Sequence, residues 1–373
     1  MLSVAIVCLF VFAVIINCGY AFYFFLRIFQ LPTPTNKIPT ANRQKVSIII
    51  CAKNEAANLI NNLPHILNQE YHDNSDNPLF EVIVINDGST DSTSNVVQQF
   101  AANHPNLKVL DLPQQSGGKK AALLAGIDLA QYHNLLLTDA DCKPQTSNWL
   151  EQMVTPLHSG KEIVVGYSGY TQTPALLNAF IRWETIHTFL QYATYTHAGL
   201  PYMAVGRNLA CKKAVFQKVA TSKAYTALPY GDDDILVSIA GTKANTAVVF
   251  NHNALTYSDA VNTLKAYIHQ KQRHLSTGKY YKPKIKLLIG TYGLMHALTW
   301  LTFFALQCTN YSIIANYIML ARCAIVWFTW IATAIKTNEK QLIYFMPLFD
   351  IGWMIYNFAF SPYIFLKNKR HWK

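Results

Sequence analysis

Four long apolar stretches limit what this chain can fold into. Residues 2–29 carry no charge before Arg27, and three further blocks follow late, at about 285–306, 313–335 and 342–366. Each is longer than the roughly 20 residues that a helix needs to cross a bilayer. The sequence therefore predicts a multi-pass integral membrane protein with one N-terminal and about three C-terminal transmembrane helices. The first stretch is too long for an ordinary signal-peptide core, and no A-x-A-like site follows it, which favours an uncleaved anchor over residues 1–30. In the last block, Pro347, Asp350 and Pro362 point to a re-entrant or interfacial segment.

The formal net charge of +11 gathers beside these stretches. Arg27, Lys37, Arg43 and Lys45 follow the first, and Lys265, Lys271, Arg273, Lys279, Lys282, Lys284 and Lys286 precede the second. By the positive-inside rule this places the intervening part in the cytoplasm, at the cell membrane, and assigns the basic excess to anionic membrane lipids rather than nucleic acid. The basic tail, 367–373, agrees with that side only if one of the blocks does not cross. Seven scattered cysteines without a C-x-x-C pair suggest neither a zinc site nor a disulfide framework. Nothing in the sequence fixes the oligomeric state.

A Pro-spaced linker, 31–44, leads into a mixed-composition domain over 45–257, and an amphipathic segment over 258–284 precedes the late apolar blocks. Within the domain, "KVSIIIC", "FEVIVIND", "LKVLDL" and "NLLLTDADC" read as strands that alternate with helical segments. Continuous apolar strands separated by helices imply an α/β, Rossmann-like fold with a mainly parallel sheet covered on both faces. Ligands of such sheets sit beyond the carboxyl ends of the strands, where Glu55, Asp87, Lys119, Asp139 and Asp141 would gather. The aromatic-rich stretch 178–197 reads as a helix, either core or interfacial.

In "LLLTDADCKP" two carboxylates separated by one residue end a buried strand. If Asp141 lies on the turn, both can face one pocket, and hard oxygen ligands beside a phosphate site suit Mg2+ or Mn2+. The alternative is that Asp141 caps the turn and Asp139 is solvated. "GGKKAA" lacks the remaining residues of a P-loop, but Lys119 and the helix beginning there can hold a phosphate.

The segments "VSIIICAKNEAANL", "EVIVINDGSTDST", "GKKAALLAGI", "LLLTDADCKP", "GRNLACKKAVF", "GDDDILV" and "QKQRH" resemble, in order and spacing, the motifs of family 2 glycosyltransferases, over about 45–274. The resemblance implies the nucleotide-sugar-binding GT-A fold. It implies that Glu55 and Asp87 line a nucleoside pocket, that Lys119 lies near the nucleotide, and that Asp139 and Asp141 meet the ribose-diphosphate and hold the metal. "GDDDIL" matches the family's E-D-x-x-L, so Asp233 would be the catalytic base, with Asp232 where Glu is more usual. Asp234 would be solvated or structural.

"HQKQRH" is similar to the Q-x-x-R-W motif of membrane-embedded polysaccharide synthases and ceramide-glycosylating enzymes: Gln270 and Arg273 match, and His274 replaces Trp. Arg273 retains a planar fork for a diphosphate, but the indole platform for a sugar is missing. Leu264, Tyr267, Ile268 and Leu275 give this stretch an apolar face, as expected of a helix lying in the membrane interface. Arg322 and Asp350, deep in separate apolar blocks, are expected to pair. Together these features imply a membrane-bound, inverting, metal-dependent glycosyltransferase. It would use a nucleotide-sugar donor, a UDP-sugar, and a lipid or lipid-linked glycan acceptor. The rivals are a processive polysaccharide synthase of the same fold and a non-catalytic membrane scaffold.

Overall fold

The β-branched run VSIIICA is buried at every residue as strand β1 (Val46–Ala52), and FEVIVIND is buried throughout as β2 (Phe80–Asp87). Such runs suit strands covered on both faces. The computed structural model describes residues 2–32, 38–114, 117–228 and 230–364, so Lys37 and the tail 367–373 lie outside the described residues. It adds β3 (Leu107–Leu112), β4 (Asn134–Asp139), β5 (Lys143–Pro144), β6 (Ile163–Val165), β7 (Ser168–Tyr170), β8 (Leu209–Lys212), β9 (Thr246–Val248) and β10 (Thr256–Ser258). These strands form one sheet in the order β3-β2-β1-β4-β8-β6-β9 and a small one in the order β5-β10-β7. All neighbours in the larger sheet are parallel except β8, which runs antiparallel to β4 and β6. The expected mainly parallel α/β sheet is present.

The chain moves outward from β1 through β2 to β3, then returns to place β4 on the other flank of β1. That reversal creates a topological switch point between β1 and β4, where open α/β sheets bind ligands. Glu81, buried inside β2, is satisfied by Ser47 Oγ at 2.6 Å, the Gln131 N–H at 2.7 Å and Lys108 Nζ at 2.7 Å. A buried carboxylate without such partners would be costly. The helix Lys119–Leu129 approaches the sheet at Gly126, where a Cβ would come within 2.3 Å of Ile85 Cδ1. This close approach seats the helix that begins at Lys119 against β1 and β2.

The chain divides into two compact units: a sheet unit over 31–171 and 199–261, and a helical unit over 2–30, 172–198 and 262–364. The helix Leu176–His197 thus interrupts the expected 45–257 domain. Its composition explains the grouping: Trp183, His187, Phe189, Tyr192 and Tyr195 are buried, Arg182 pairs with Glu339, and Glu184 pairs with Lys271. All these partners belong to the helical unit. Lys271, predicted to face the membrane edge, is therefore buried in an ion pair on the helix Leu264–Leu275. On the same helix Tyr267 is buried, whereas Leu264 is 61% exposed.

Among the described residues, four segments of the helical unit are long and apolar enough to cross a membrane: Leu2–Phe29, Pro283–Gln307, Ser312–Lys336 and Lys340–Tyr363. Pro347 sits in the first turn of the helix Met346–Phe360, where its missing N–H is no loss. Large apolar side chains point outward, among them Ile15, Leu287, Leu320 and Ile355, while polar groups lie inside. The expected Arg322–Asp350 ion pair is formed and fully buried. Asp350 also binds His296 Nε2 at 2.6 Å and accepts from Trp327 Nε1 at 2.9 Å. Asn17 joins from the first helix, its Nδ2 3.4 Å from Thr299 Oγ1. Asp350→Ala, which strands Arg322 in an apolar bundle, is expected to destabilise the protein by about 3 kcal/mol. Thermal unfolding of the detergent-solubilised chain checks this, and replacing both residues by Leu should recover most of the loss.

Candidate active site

Strand β4 ends on Asp139, and the Cys142 N–H donates to the Asp139 carbonyl at 3.0 Å. This tight turn carries Asp141, freeing it from strand alternation so that both carboxylates stand at the carboxyl edge of the switch point. Lys119, the first residue of its helix, pairs with Asp139 Oδ1 at 2.5 Å. Burial works against the Lys119 charge, but the Asp139 carboxylate outweighs it and holds the ammonium above its ordinary pKa. Burial, and then the Asp139 charge, push the Asp141 carboxyl upward, while Arg207 and Lys119 act the other way.

Two hard carboxylates, of which Asp141 is held back from ionising by burial and by the Asp139 charge, fit Mg2+ or Mn2+, which bind one or two carboxylates and take the rest of their shell from water and phosphate. Among the described residues no group of three or more His, Cys, Asp or Glu side chains gathers to hold a metal ion, at this turn or elsewhere, so a cation held by Asp139 and Asp141 would take its other ligands from water and phosphate.

The acidic segment after Gly231 opens the helix Asp232–Ala240. Asp232 and Asp234 are buried, whereas Asp233 is only half-buried. Asp234 was expected to be solvated or structural, and its burial favours the second. Asp233 Oδ2 accepts from the Gly206 N–H at 2.6 Å and Oδ1 from the Asp234 N–H at 3.0 Å, which fixes the carboxylate plane. Burial and then the Asp232 charge raise the Asp233 pKa. Lys119 pairs with Asp139 and also interacts electrostatically with Asp233, so the two acidic motifs lie within range of one lysine. Beneath them, the buried Cys51 thiol, pushed up to about 12 by burial, also feels Lys119, Asp139, Asp232 and Asp87.

Asp87, the buried last residue of β2, lies 3.6 Å from Lys53. Glu55 precedes the helix Ala56–Leu67, and its carboxylate accepts from Asn58 at 2.6 Å. The loops after β1 and β2 are stitched together: Asn54 N–H to Ser89 Oγ at 2.9 Å, Thr90 N–H to Asn54 Oδ1 at 2.8 Å, and Glu55 N–H to Thr93 Oγ1 at 2.9 Å. Asn54 does this in a left-handed conformation, φ 56°, which Asn tolerates better than most residues. The stretches "NE" and "DGSTDST" thus build one rim. Gln270 and Arg273 lie on the helix Leu264–Leu275 of the helical unit, and the cluster of acids and lysines forms within the sheet unit alone.

Two cations escaped assignment from sequence. Arg207 follows Gly206, donates to Ser258 Oγ at 2.6 Å and to the carbonyls of Ser168 and Gly169, stacks on Tyr170, and sits near Asp141 electrostatically. It fastens β7 and β10 of the small sheet beside the Asp139–Asp141 turn. Lys120 binds Asp232. The "GRN" and "GKK" stretches were visible, but Arg207's partners lie 38 to 51 residues away in sequence.

Residues 47–216 match the family described as glycosyl transferase family 2. The chain is 32% identical over 126 residues to poly-beta-1,6-N-acetyl-D-glucosamine synthase of Staphylococcus epidermidis, covering 33% of this chain and 28% of that protein. It is 31% identical over 137 residues to beta-monoglucosyldiacylglycerol synthase of Nostoc sp., covering 36% and 28%. It matches less than half the length of the curated relatives compared with it. A solved mannosyltransferase from Pyrobaculum calidifontis, in complex with GDP-Man and Mn2+, shares the fold at a TM-score of 0.53 and 15% identity, covering 95% of this chain and 98% of that one. With the GT-A-like sheet in place, the segment 47–216, a little under half of the chain, is identified as a glycosyl transferase family 2 domain.

Proposed function

We propose that the protein is a membrane-bound, inverting glycosyltransferase that moves one sugar from a UDP-sugar to a lipid or lipid-linked glycan at the cytoplasmic leaflet. The observation that carries this reading is the Asp139–Asp141 pair at the switch point, sharing Lys119 with the half-buried Asp233. Asp139 and Asp141 would hold Mg2+ or Mn2+. When bound, the metal would offset the negative charge that builds on the departing diphosphate. Lys119 would add its own charge there, and Asp87 and Glu55 would frame the nucleoside. Asp233 would accept the proton of the acceptor hydroxyl as its oxygen bonds to the anomeric carbon and the bond to the diphosphate oxygen breaks. A base and a leaving group on opposite sides of the sugar make this one displacement with inversion.

The lipid acceptor is supported by the four apolar segments joined to the sheet unit and by the relative named for a glucosyldiacylglycerol product. The cytoplasmic side rests on Arg27, Arg43 and Lys45 after the first span and on the exposed Lys282, Lys284 and Lys286 at the start of the second. Membranes containing the protein, incubated with a panel of radiolabelled nucleotide sugars, should yield a lipid-soluble product bearing a single sugar. A long insoluble polymer would favour the processive rival. Failure to bind any nucleotide would leave the scaffold reading.

A further inference from the structure

Lys119 and Lys120 open the same helix but make their direct ion pairs with different acids. Lys119 pairs with Asp139. Lys120, with only 12% of its side chain exposed, donates to the carbonyl oxygens of Tyr225 and of Leu228, the latter at 2.7 Å. Its Nζ stands 3.4 Å from Asp232 Oδ1 and 3.8 Å from the centroid of the Tyr225 ring. A desolvated ammonium is costly unless compensated, and each of these compensating groups belongs to the approach to the helix Asp232–Ala240. Immediately before that helix Gly231 adopts φ +83°, a conformation that glycine takes at little cost. Two adjacent acids follow the bend, and a like charge beside a carboxylate opposes its ionisation.

We propose that Lys120 is a positioning residue for the transfer reaction. By clamping the backbone at Tyr225 and Leu228 and neutralising Asp232, it holds Asp233 in the place and charge state needed to take a proton from the acceptor. Consecutive lysines thereby divide one helix start between the two halves of the reaction, Lys119 on the donor side and Lys120 on the acceptor side. Lys120 acts through Asp232 and through the backbone that leads to Asp233, and the inference rests on the proposed function.

The test uses the full chain in lipid nanodiscs. Lys120→Met, which keeps side-chain length and removes charge, should lower kcat for sugar transfer by about 10- to 100-fold, a fraction of what a positioned base contributes. The donor KM and the Mn2+-dependent affinity for UDP should stay within about twofold, since the lost interaction is not one of uniform binding. UDP binding also reports that the sheet unit is folded. In a cycle with Asp232→Asn, the double variant should lose no more than the larger single loss, because both substitutions break the same link. Unchanged kcat, UDP affinity falling in step with kcat, or additive losses would each overturn the proposal. A wild-type protein that transfers no sugar from any nucleotide donor would remove the proposed function and this inference with it, a result that differs from an active wild type beside an unaffected Lys120→Met.

Discussion

Asp139→Ala combined with Asp141→Ala is expected to abolish Mn2+-dependent UDP binding, with a loss of at least about 100-fold in affinity. Outer partners of metal ligands alone cost 10- to 100-fold when removed, and this variant removes both of the chain's own candidate ligands at the switch point. The fold should survive. Asp139 is the last residue of β4 and the one in it that is not buried, and Asp141 lies on the turn, so neither side chain belongs to the buried part of the strand, and the parallel register of β1 with β4 is carried by backbone from Val46 to Cys51. Moreover, each carboxylate sits beside a like charge, so deletion relieves a repulsion even as it removes Asp139 and Asp141 from beside Lys119 and Arg207, and Lys119 keeps its interaction with Asp233. Isothermal titration with UDP, with and without Mn2+, measures the effect, and thermal unfolding supplies the control. Wild-type binding that ignores the metal, or double-Ala binding equal to wild type, would remove these two residues as the metal site.

How much of the candidate site is legible in the sequence follows from how its parts are built. β1, β2 and β4 are continuous apolar runs, and such runs announce buried parallel strands without any knowledge of their neighbours. The carboxylates stand out because charge follows directly on that apolarity. Arg322 and Asp350 were legible for the same reason, since a charge inside an apolar block must find a partner. Lys271 and Arg207 were not. A lone lysine in a helical pattern reads as a solvated face, and only the buried Glu184, 87 residues away in sequence, turns it inward. Arg207 likewise takes its meaning from carbonyls on β7 and a hydroxyl on β10. The helix Leu176–His197 is apolar or aromatic on most of its faces, so its periodicity did not say which unit would bury it; its ion pairs to Glu339 and Lys271 decide that. Local pattern thus exposes the strands and the acids that end them, whereas the cations that compensate those acids depend on long-range contacts.

For Asp233→Asn, kcat for sugar transfer is expected to fall by about 10² to 10⁴, the usual contribution of a positioned base, with the UDP affinity unchanged. Asn fills the same space and can keep an oxygen on one of the two backbone N–H groups that now hold the carboxylate, those of Gly206 and Asp234. It cannot accept the acceptor's proton. Asp232→Asn provides the contrast, because Asp232 is buried against Lys120, whereas Asp233 is the more accessible of the two. The pH dependence adds an independent mark. Burial and the neighbouring Asp232 raise the Asp233 pKa above the ordinary 3.8, and a base works only when deprotonated. Activity should therefore be present above that raised pKa and be lost as the pH falls through it, so that the acid limb of kcat/KM lies at higher pH than an unperturbed aspartate would give. In Asp233→Asn the residual activity should lack this limb. An Asn variant with full transfer, or one whose residual activity keeps the same acid limb, would move the role of base to another group, and Asp232 would be the first to test.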